Sequence, residues 1–539
     1  PLYGYLLGFF IWATGQNLFV FYLFQIIVDV FTVLIVYAIG KELWNHKAGL
    51  IAAILYSLTS TAIFYTATLL KPTMVASYIA LWVLLSIRVP RMKSSFAWIM
   101  YGIFLGLGVA LRSNLLLLSL SSFILMPLFY WKSNGKKELQ KKMILLILGF
   151  SIPALMLAAR NEHITGQWSV LPPNSGIVLH QLYNSDNPDS VEFAPRFVTY
   201  SSPPAILTGY KKEAEKRLEQ QLSIYEVSSF WRKQAIAYIA SNSDKVIENI
   251  IRKSKQFMAF TEIENSRFIN AEAMFSPLLK ILPFPFGWLF ALGFPGLILL
   301  AVRNNILSLP ILIAASIVFA TFIIFIAAGR FRAHGLPLFA VGSGVFITAI
   351  IDWKNTGKNK SIALIALSMI LGVLTMWNSN QASNRAVNPM EFAWGYLKMG
   401  QTEQAKNYAL RLININPKDA DAYELLGYIA LHDNQHEQAI LWLGTAAQLA
   451  PRHHVTQYNL ALSLRQAYRN EESLLAIESA INYAVQPEYL FLKGQVLEEI
   501  GDIKNALSTY EYLIEVAHSD NDGQLYIRKA QERLRLISP

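Results

Sequence analysis

The segment ADAYELLGYIALHDNQHEQAILWLGTAAQLAP, residues 420–451, sets small residues at fixed intervals and ends in a proline. The preceding segment ends at Pro417, which lies 34 residues before Pro451. The two segments carry small or aromatic residues at matching offsets: Ala393, Tyr396, Gly400 and Ala405 in the first, and Tyr423, Leu426, Gly427, Ala430, Ala439 and Ala446 in the second. Small residues let helices pack closely and proline ends the second helix, so this spacing predicts stacked helix pairs.

This pattern resembles the tetratricopeptide repeat. Four units begin near Ala386, Ala420, His454 and Pro487, and Leu525–Ile537 has the pattern of the polar helix that closes such an array. The resemblance implies that residues 386–539 bind an extended peptide or another protein along a concave face. A purely architectural role, such as holding a complex together, stays open because a fold does not fix a function.

The rest of the chain has the composition of a membrane protein. The whole sequence is 54% hydrophobic and only 15% charged, unlike a soluble protein of 539 residues. A short apolar helix, Leu2–Ala13, is predicted to lie at the membrane interface. Ten apolar stretches long enough, or nearly so, to cross the hydrocarbon core follow at 18–40, 49–67, 72–88, 96–112, 115–131, 143–159, 284–302, 306–328, 335–351 and 361–377. The sequence therefore predicts an all-α polytopic membrane bundle followed by a tetratricopeptide α-solenoid.

Basic residues mark every second connection between these stretches. They are Lys41, Lys47, Arg88, Arg91, Lys93, Lys132, Lys136, Lys137, Lys141, Lys142, Arg303, Lys354, Lys358 and Lys360. Cytoplasmic connections carry the excess of Lys and Arg, so these connections are predicted to be cytoplasmic. Residues 161–280 and everything after Trp377 are then predicted to lie on the extracytoplasmic side.

The formal charge of +10 is unevenly distributed, with +15 on residues 1–384 and −5 on residues 385–539. A basic membrane half favours anionic lipid or phosphate as a partner, and no basic stripe with interleaved aromatic residues indicates nucleic-acid binding. Cysteine is absent, so there is no disulfide or thiol chemistry. The absence of a Gly-rich phosphate loop argues against a nucleotide-driven transporter, and no His, Asp or Glu group has the spacing of a metal site.

The predicted organisation has five parts: transmembrane bundle 1–160, extracytoplasmic domain 161–280, transmembrane bundle 281–377, linker 378–385 and repeats 386–539. The chain opens on Pro1 with an apolar helix already under way and no secretory signal. This start favours a fragment that lacks the first span and its outer loop.

Two local structures are predicted within the extracytoplasmic domain. The extended, proline-broken run in Gly166–Tyr183 predicts a short hairpin. The stretch Ser202–Ala259 has a helical pattern with basic polar faces, and Ser228 or Ser229 is the candidate cap of one helix.

Five stretches carry a second resemblance. They are PLYGYLLG at 1–8, VYAIGKELWNHKAGLIAA at 36–53, GLGVALRSN at 106–114, Arg160-Asn161 with the Gly166 to Pro188 region, and RFRAHGLP at 330–337. In this order they resemble the GT-C type of polytopic glycosyltransferases, most closely the bacterial relatives of the protein O-mannosyltransferases and of the aminoarabinose transferase of lipid A.

The resemblance implies a sugar donor carried on a polyprenyl monophosphate, and transfer of the sugar on the periplasmic face of a bacterial plasma (inner) membrane. Such a reaction needs a carboxylate base for the acceptor, cations for the departing lipid phosphate and an apolar groove for the lipid. In this family the catalytic aspartate lies in the outer loop before the helix where this chain starts, so the resemblance puts it upstream of Pro1. The sugar and the acceptor stay open, although the repeats favour a protein or a multi-enzyme complex.

The candidates for binding the donor phosphate are the basic residues at predicted outer ends of spans: Lys71, Arg112, Arg330, Arg332 and His334. Arginine suits bidentate phosphate binding and lysine supplies a point charge. The alternative is that these side chains only reach lipid headgroups. The acceptor-side candidates are Arg160, Asn161 and Glu162, and the remaining outer carboxylates are Asp186, Asp189 and Glu192.

Two other functions stay open. An O-antigen ligase or polymerase-type transferase would need an arginine and a histidine in one outer loop, where Arg196 and His180 are present. A non-catalytic membrane scaffold would use the bundle only as an anchor for the repeats.

Overall fold

The computed structural model describes residues 1–15, 17–187, 190, 195, 197, 203–263, 269, 276–281, 284–303, 305–382, 389–517 and 521–537. The chain separates into two compact units. The membrane unit consists of residues 1–198 and 206–385, and the repeat unit consists of residues 386–539 with the short segment 199–205. Residues 383–388, which include part of the predicted linker, lie outside the described residues.

The membrane unit is helical wherever it is described in regular secondary structure. Its first part contains α1 (Leu2–Thr14), α2 (Leu18–Leu43), α3 (His46–Ser57), α4 (Ser60–Thr66), α5 (Pro72–Arg88), α6 (Ser95–Leu111), α7 (Leu116–Asn134) and α8 (Lys136–Thr165). The domain that follows contains α9 (Ser175–Leu182), α10 (Pro203–Leu218), α11 (Ile224–Ser241), α12 (Ser243–Phe257) and α13 (Pro277–Ile281). The bundle then resumes with α14 (Phe286–Val302), α15 (Leu309–Ile324), α16 (Gly329–Arg332), α17 (Leu336–Ile351), α18 (Trp353–Thr356) and α19 (Lys358–Ala382).

The predicted membrane class is confirmed, whereas the predicted number of ten spans is not. Among the described residues, the segments long and apolar enough to cross a membrane are Leu18–Leu43, Pro72–Arg91, Ser113–Tyr130, Lys136–Thr165, Ile306–Ile324, Gly329–Ile351 and Lys358–Asn378. Two further apolar helices, α6 and α14, have 17 residues each.

The stretch 49–67, predicted as one span, is broken between α3 and α4. The hydroxyl of Thr59 donates to the Leu55 carbonyl at 2.8 Å, and the amide of Ser60 donates to the Phe284 carbonyl at 3.3 Å. Helix α3 therefore ends at Ser57, and α4 begins at Ser60, whose amide donates to Phe284 at the start of the second half of the bundle.

The hairpin predicted in Gly166–Tyr183 is wrong. The segment Ser175–Leu182 is helix α9, which packs on α11 and buries Ile177 and Leu182. The approach is close: a Cβ atom on Gly176 would lie 1.8 Å from the Ser228 carbonyl oxygen. Short-range apolar spacing fits a buried helix as well as a strand, which explains the error.

Neither Ser228 nor Ser229 caps a helix, because both lie inside α11. The cap is Ser223, which forms a capping box with Glu226 and so satisfies two free amides at the start of the helix.

Close helix contacts in the bundle depend on glycine. Helices α14 and α17 cross at Gly293, Gly296 and Gly342, where a Cβ on Gly342 would lie 2.2 Å from the Gly293 carbonyl oxygen. A Cβ on Gly296 would lie 1.8 Å from the Gly342 carbonyl oxygen. Only glycine lets the two backbones approach this closely, as is common between membrane helices.

The repeat unit consists of stacked helix pairs, as predicted. They are α20 (Pro389–Lys398) with α21 (Thr402–Ile415), α22 (Ala420–His432) with α23 (His436–Leu449), α24 (His454–Gln466) with α25 (Asn470–Tyr483), and α26 (Pro487–Ile500) with α27 (Ile503–Val516). The closing helix α28 covers Asn521–Ile537. Gly427 of α22 lies so close to α23 that a Cβ would meet Leu443 at 2.4 Å, which explains the small residues of the repeat.

We predict that one contact between the second and third repeats depends on pH. The Glu424 carboxylate lies 3.0 Å from the Nδ1 atom of His453 and accepts a hydrogen bond from the Thr456 hydroxyl at 2.9 Å. The hydrogen bond to Glu424 is the main cause that raises the pKa of His453. A raised histidine pKa stabilises the fold fully below the unfolded value of about 6.5, and this stabilisation is lost as the pH rises through the folded value.

We expect the free energy of local opening of α22–α24 to fall as the pH rises from about 5.5 to 8, by about 0.2–1 kcal/mol because the histidine is half exposed. Hydrogen exchange on the full chain, corrected for intrinsic rates, measures it. His453→Gln should remove this component. The comparison isolates His453 from His454, whose pKa is lowered by burial and whose contribution has the opposite sign. Equal pH dependence in both proteins would contradict the prediction.

Candidate functional site

Three of the predicted phosphate-binding residues lie at helix ends on one side of the bundle. Lys71 directly precedes Pro72, the first residue of α5. Arg112 follows the end of α6 in an extended conformation, and Arg330 lies in the short helix α16. We call Lys71, Arg112 and Arg330 the cationic cluster. This end is predicted to face outward.

Both arginines of the cationic cluster rest on one aromatic ring. The guanidinium carbon of Arg112 lies 4.3 Å from the centroid of Phe331, and that of Arg330 lies 5.0 Å from it. Arg112 also donates from Nη1 to Nε2 of the buried His334 at 3.3 Å. A cation over an aromatic ring is stabilised by the negative face of the ring. This attraction offsets part of the repulsion between the two arginines.

The charges of the cationic cluster act on one another. Partial burial, followed by repulsion from Arg112 and Arg330, lowers the pKa of Lys71. Burial, followed by repulsion from Arg330, lowers the pKa of Arg112 to about 10, so its guanidinium still carries a charge at neutral pH. Mutual repulsion of this kind favours a bound anion, because an anion between the cations removes the repulsion.

Arg332 has a different environment from the cationic cluster. Its guanidinium is fully buried and donates to the carbonyls of Ala259 at 2.6 Å and Thr261 at 2.7 Å, with longer contacts to those of Gln256 and Phe257. It also forms an ion pair with Glu262 at 3.0 Å. The structure thus places Arg332 at the point where the chain leaves α12, and its donors are directed at the protein itself.

Glu262 was not among the predicted carboxylates, although it is nearly buried beside the cluster. It accepts from the Thr61 hydroxyl at 2.8 Å, and the amide of Gly329 donates to the carbonyl of the next residue, Ile263, at 2.7 Å. A glutamate after a helical stretch gives no pattern in the sequence. Its pairing with Arg332 makes it part of the support for α16.

The three acceptor-side candidates lie in the last turns of α8. Arg160 donates from Nε to the Tyr5 hydroxyl at 2.8 Å and from Nη1 to the Asn161 side-chain oxygen at 2.8 Å. Asn161 is buried and donates to the Ser169 carbonyl at 2.7 Å. Glu162 is half-buried. Asn161 therefore fixes the chain that leaves α8, and Arg160 joins α8 to α1.

Two polar residues inside the first long span were missed by the sequence reasoning. Gln25 is fully buried in α2, and Asp29 lies one turn further along and accepts from the Tyr56 hydroxyl at 2.7 Å. Their spacing of four residues within an apolar stretch is a signal that could have identified them, because an ionisable residue within a span marks a functional or structural site.

Of the arginine and histidine that the ligase alternative would need, only His180 lies within the described residues. His180 lies 4.4 Å from the Trp231 ring, with its Nδ1 atom 3.3 Å from the Tyr210 hydroxyl. Burial lowers the pKa of His180 to about 4, so the ring is neutral at pH 7. Arg196, Asp189 and Glu192 lie outside the described residues, and Asp186 is exposed. No three His, Asp or Glu side chains of the described residues are grouped as a metal site would require.

Comparison with known proteins finds a match for each unit. Residues 1–158 match the family described as dolichyl-phosphate-mannose-protein mannosyltransferase, and residues 390–454 match the tetratricopeptide repeat. A stretch of 125 residues is 30% identical to the protein O-mannosyl-transferase TMTC3 of Homo sapiens; it is 22% of this chain and 13% of that protein. The resemblance to a protein mannosyltransferase with a tetratricopeptide-repeat region is thereby confirmed.

Two solved structures are also similar to the chain. Yeast Tom70 is 11% identical with a TM-score of 0.26, covering 79% of this chain and 96% of its own. A tetratricopeptide-repeat protein of Thermus thermophilus is 17% identical with a TM-score of 0.25, covering 32% and 94%. TM-scores this low support no conclusion about function.

Proposed function

We propose that the membrane unit is a glycosyltransferase that takes a sugar from a polyprenyl monophosphate and transfers it to an acceptor on the outer face of the membrane. The observation that carries the proposal is the cationic cluster at the predicted outer end. The match of residues 1–158 to a mannosyltransferase family supports it and makes mannose the first sugar to test.

The cationic cluster suits the chemistry of the leaving group. When the sugar departs, the lipid phosphate gains negative charge, and cations held in place beforehand stabilise that charge without reorganising. Arginine binds phosphate oxygens through N–H donors that match phosphate geometry, and Lys71 adds a point charge. Both guanidinium groups pack on Phe331, so less side-chain freedom is lost when the phosphate binds.

At the other end of the bundle, three of the described basic residues contact an acidic residue or an aromatic ring. Glu42 pairs with Arg88 at 3.3 Å and with Arg91 at 3.0 Å, and Arg303 lies over the Trp44 ring at 4.6 Å. These basic residues sit in the connections predicted to be cytoplasmic. The cationic cluster therefore occupies the end that the positive-inside rule leaves poor in basic residues, which favours a ligand-binding role over a topological one.

We assign acceptor binding to two parts of the protein, the end of α8 and the repeat unit. Arg160, Asn161 and Glu162 end α8 on the same side of the bundle as the cationic cluster, and we assign them to the acceptor side. The repeat unit is proposed to recruit a protein acceptor or a partner enzyme, as tetratricopeptide arrays bind peptides. A scaffold that uses the bundle as an anchor is the competing function.

The proposal is tested with the protein in lipid nanodiscs and radiolabelled polyprenyl-phosphate mannose. Binding should saturate, and farnesyl monophosphate should compete while farnesol should not. Lys71→Met should weaken binding about tenfold, since one charged contact to the phosphate is lost. Lys47→Met is the matched control, because it removes an exposed lysine at the other end of the bundle.

Equal competition by farnesol and farnesyl monophosphate would overturn the proposal, since lipid would then bind without recognition of the phosphate. An equal loss in the Lys71 and Lys47 variants would overturn the assignment of the site. A scaffold would retain partner binding through the repeats in every variant and show no phosphate-dependent binding.

A further inference from the structure

Helix α2 carries a polar stripe within an apolar span. Gln25, Asp29 and Thr32 lie at positions i, i+4 and i+7, which bring them to one face of the helix. Gln25 and Thr32 are fully buried. Polar side chains in a membrane span are retained where they form hydrogen bonds with other polar groups. The hydrogen-bond partners of these residues therefore indicate their role.

The partners of Gln25 are two backbone carbonyls of one turn. Its side-chain nitrogen donates to the Thr66 carbonyl at 3.1 Å and to the Thr68 carbonyl at 2.9 Å. Thr66 is the last residue of α4, and the last carbonyls of a helix have no partner within the helix. The amide of Gln25 therefore completes the end of α4 inside the bundle, where both residues are buried.

The same turn is also fixed by its own hydrogen bonds. The amides of Ala67 and Thr68 donate to the carbonyls of Phe64 and Tyr65 at 3.2 Å each, and the Thr68 hydroxyl donates to the Tyr65 carbonyl at 2.8 Å. The segment that follows ends at Lys71, and Pro72 then starts α5. Three residues separate Thr68 from Pro72, so the position of the turn sets the position of the lysine.

We propose that Gln25 is a positioning residue that sets the location of Lys71 relative to Arg112 and Arg330. The proposal rests on the proposed function, because it gives the cationic cluster its ligand. Gln25 acts from the interior of the bundle, through the Thr66–Lys71 turn, and does not itself touch the phosphate. Removing its amide leaves two carbonyls without their donor and allows the turn and Lys71 to move away from the arginines.

Thr32 offers a matched control on the same face of α2. Its hydroxyl donates to the Ser77 hydroxyl at 2.6 Å in α5, and it has no hydrogen bond to the Thr66–Lys71 turn among the described residues. Thr32→Val removes a buried polar contact of similar kind, but one that does not fix the turn. A general loss of bundle stability would affect both variants, whereas loss of positioning affects only the Gln25 variant.

The experiment compares wild type, Gln25→Met and Thr32→Val in nanodiscs, with farnesyl monophosphate and farnesol as probes. Gln25→Met should weaken binding of farnesyl monophosphate about tenfold, and farnesol should still not compete. Thr32→Val should change neither. In a double-mutant cycle, Gln25→Met should add little to Lys71→Met, because both remove the same contact.

The outcomes separate this inference from the proposed function. If wild type binds both probes equally, the proposed function fails. If wild type prefers the monophosphate and Gln25→Met keeps the same preference, the positioning role is overturned. The role is also overturned if the losses in Gln25→Met and Lys71→Met are additive. If Gln25→Met does not fold, Gln25→Asn replaces it: the amide stays but is one methylene too short to reach the turn, and the same loss of preference is expected.

Discussion

Replacing Arg112 with methionine should lower the affinity for a polyprenyl monophosphate by roughly 10- to 100-fold, the largest loss we expect from one substitution in the cationic cluster. A hydrogen bond to a charged group contributes about 1.5–3 kcal/mol, and a factor of ten corresponds to about 1.4 kcal/mol. Arg112 is also joined to His334 and packed on Phe331, so it contributes both charge and a fixed geometry. Arg112→Lys should recover only part of the affinity, because lysine cannot bind two oxygens in one plane.

Competition by farnesyl monophosphate against radiolabelled polyprenyl-phosphate mannose measures this effect. Arg303→Met is the matched control, since Arg303 packs on the Trp44 ring as Arg112 packs on Phe331, but at the other end of the bundle. The control should keep the affinity of wild type. If Arg112→Met binds the monophosphate as wild type does, the cationic cluster is not the phosphate site.

Gly342→Val should prevent the bundle from assembling. The new side chain would meet the carbonyl oxygen of Gly293, and α14 and α17 can accommodate it only by moving apart. Overpacking of an interior costs about 1–3 kcal/mol where side chains can adjust, and more is expected here because the obstacle is backbone. We expect loss of the monodisperse peak in size-exclusion chromatography in mild detergent.

Gly372→Val in α19 is the control for this substitution. The nearest atom to a Cβ at this position is Cζ3 of Trp288 at 4.0 Å, so an added side chain has room. This variant should elute and melt as wild type does. A monodisperse, thermally stable Gly342→Val protein would show that the two helices can separate without loss of the fold.

The repeats could be predicted from the sequence because their signal is periodic. Small residues and proline occupy positions 34 residues before Gly427, Ala439 and Pro451. This period indicates stacked helix pairs, and the structure contains those pairs. The cationic cluster was also accessible from sequence, since arginines at the predicted outer ends of spans run against the charge bias of membrane proteins. Both the repeat period and the position of the charges are visible in the sequence itself, so neither prediction required knowledge of the tertiary structure.

Other features depend on tertiary contacts and could not be predicted from the sequence. Arg332 follows Arg330 by two residues and has the same chemistry, yet only the fold shows that its donors are occupied by carbonyls more than 70 residues earlier in the chain. The helix at Ser175–Leu182 forms because α11 covers its apolar face, which no local pattern reveals. The sequence marks Gln25 as a polar residue within a span, but its partner depends on where the Thr66 carbonyl lies.

The environment of Arg332 also has a consequence for biosynthesis. The carbonyls that it binds leave the ribosome 71 to 76 residues before the arginine does. At roughly 5–20 residues per second, that interval is about 4–15 seconds. During this time the carbonyls that follow α12 lack the Arg332 guanidinium as their donor. This junction can therefore close only after α16 has been synthesised, which makes it a late step in the assembly of the nascent protein.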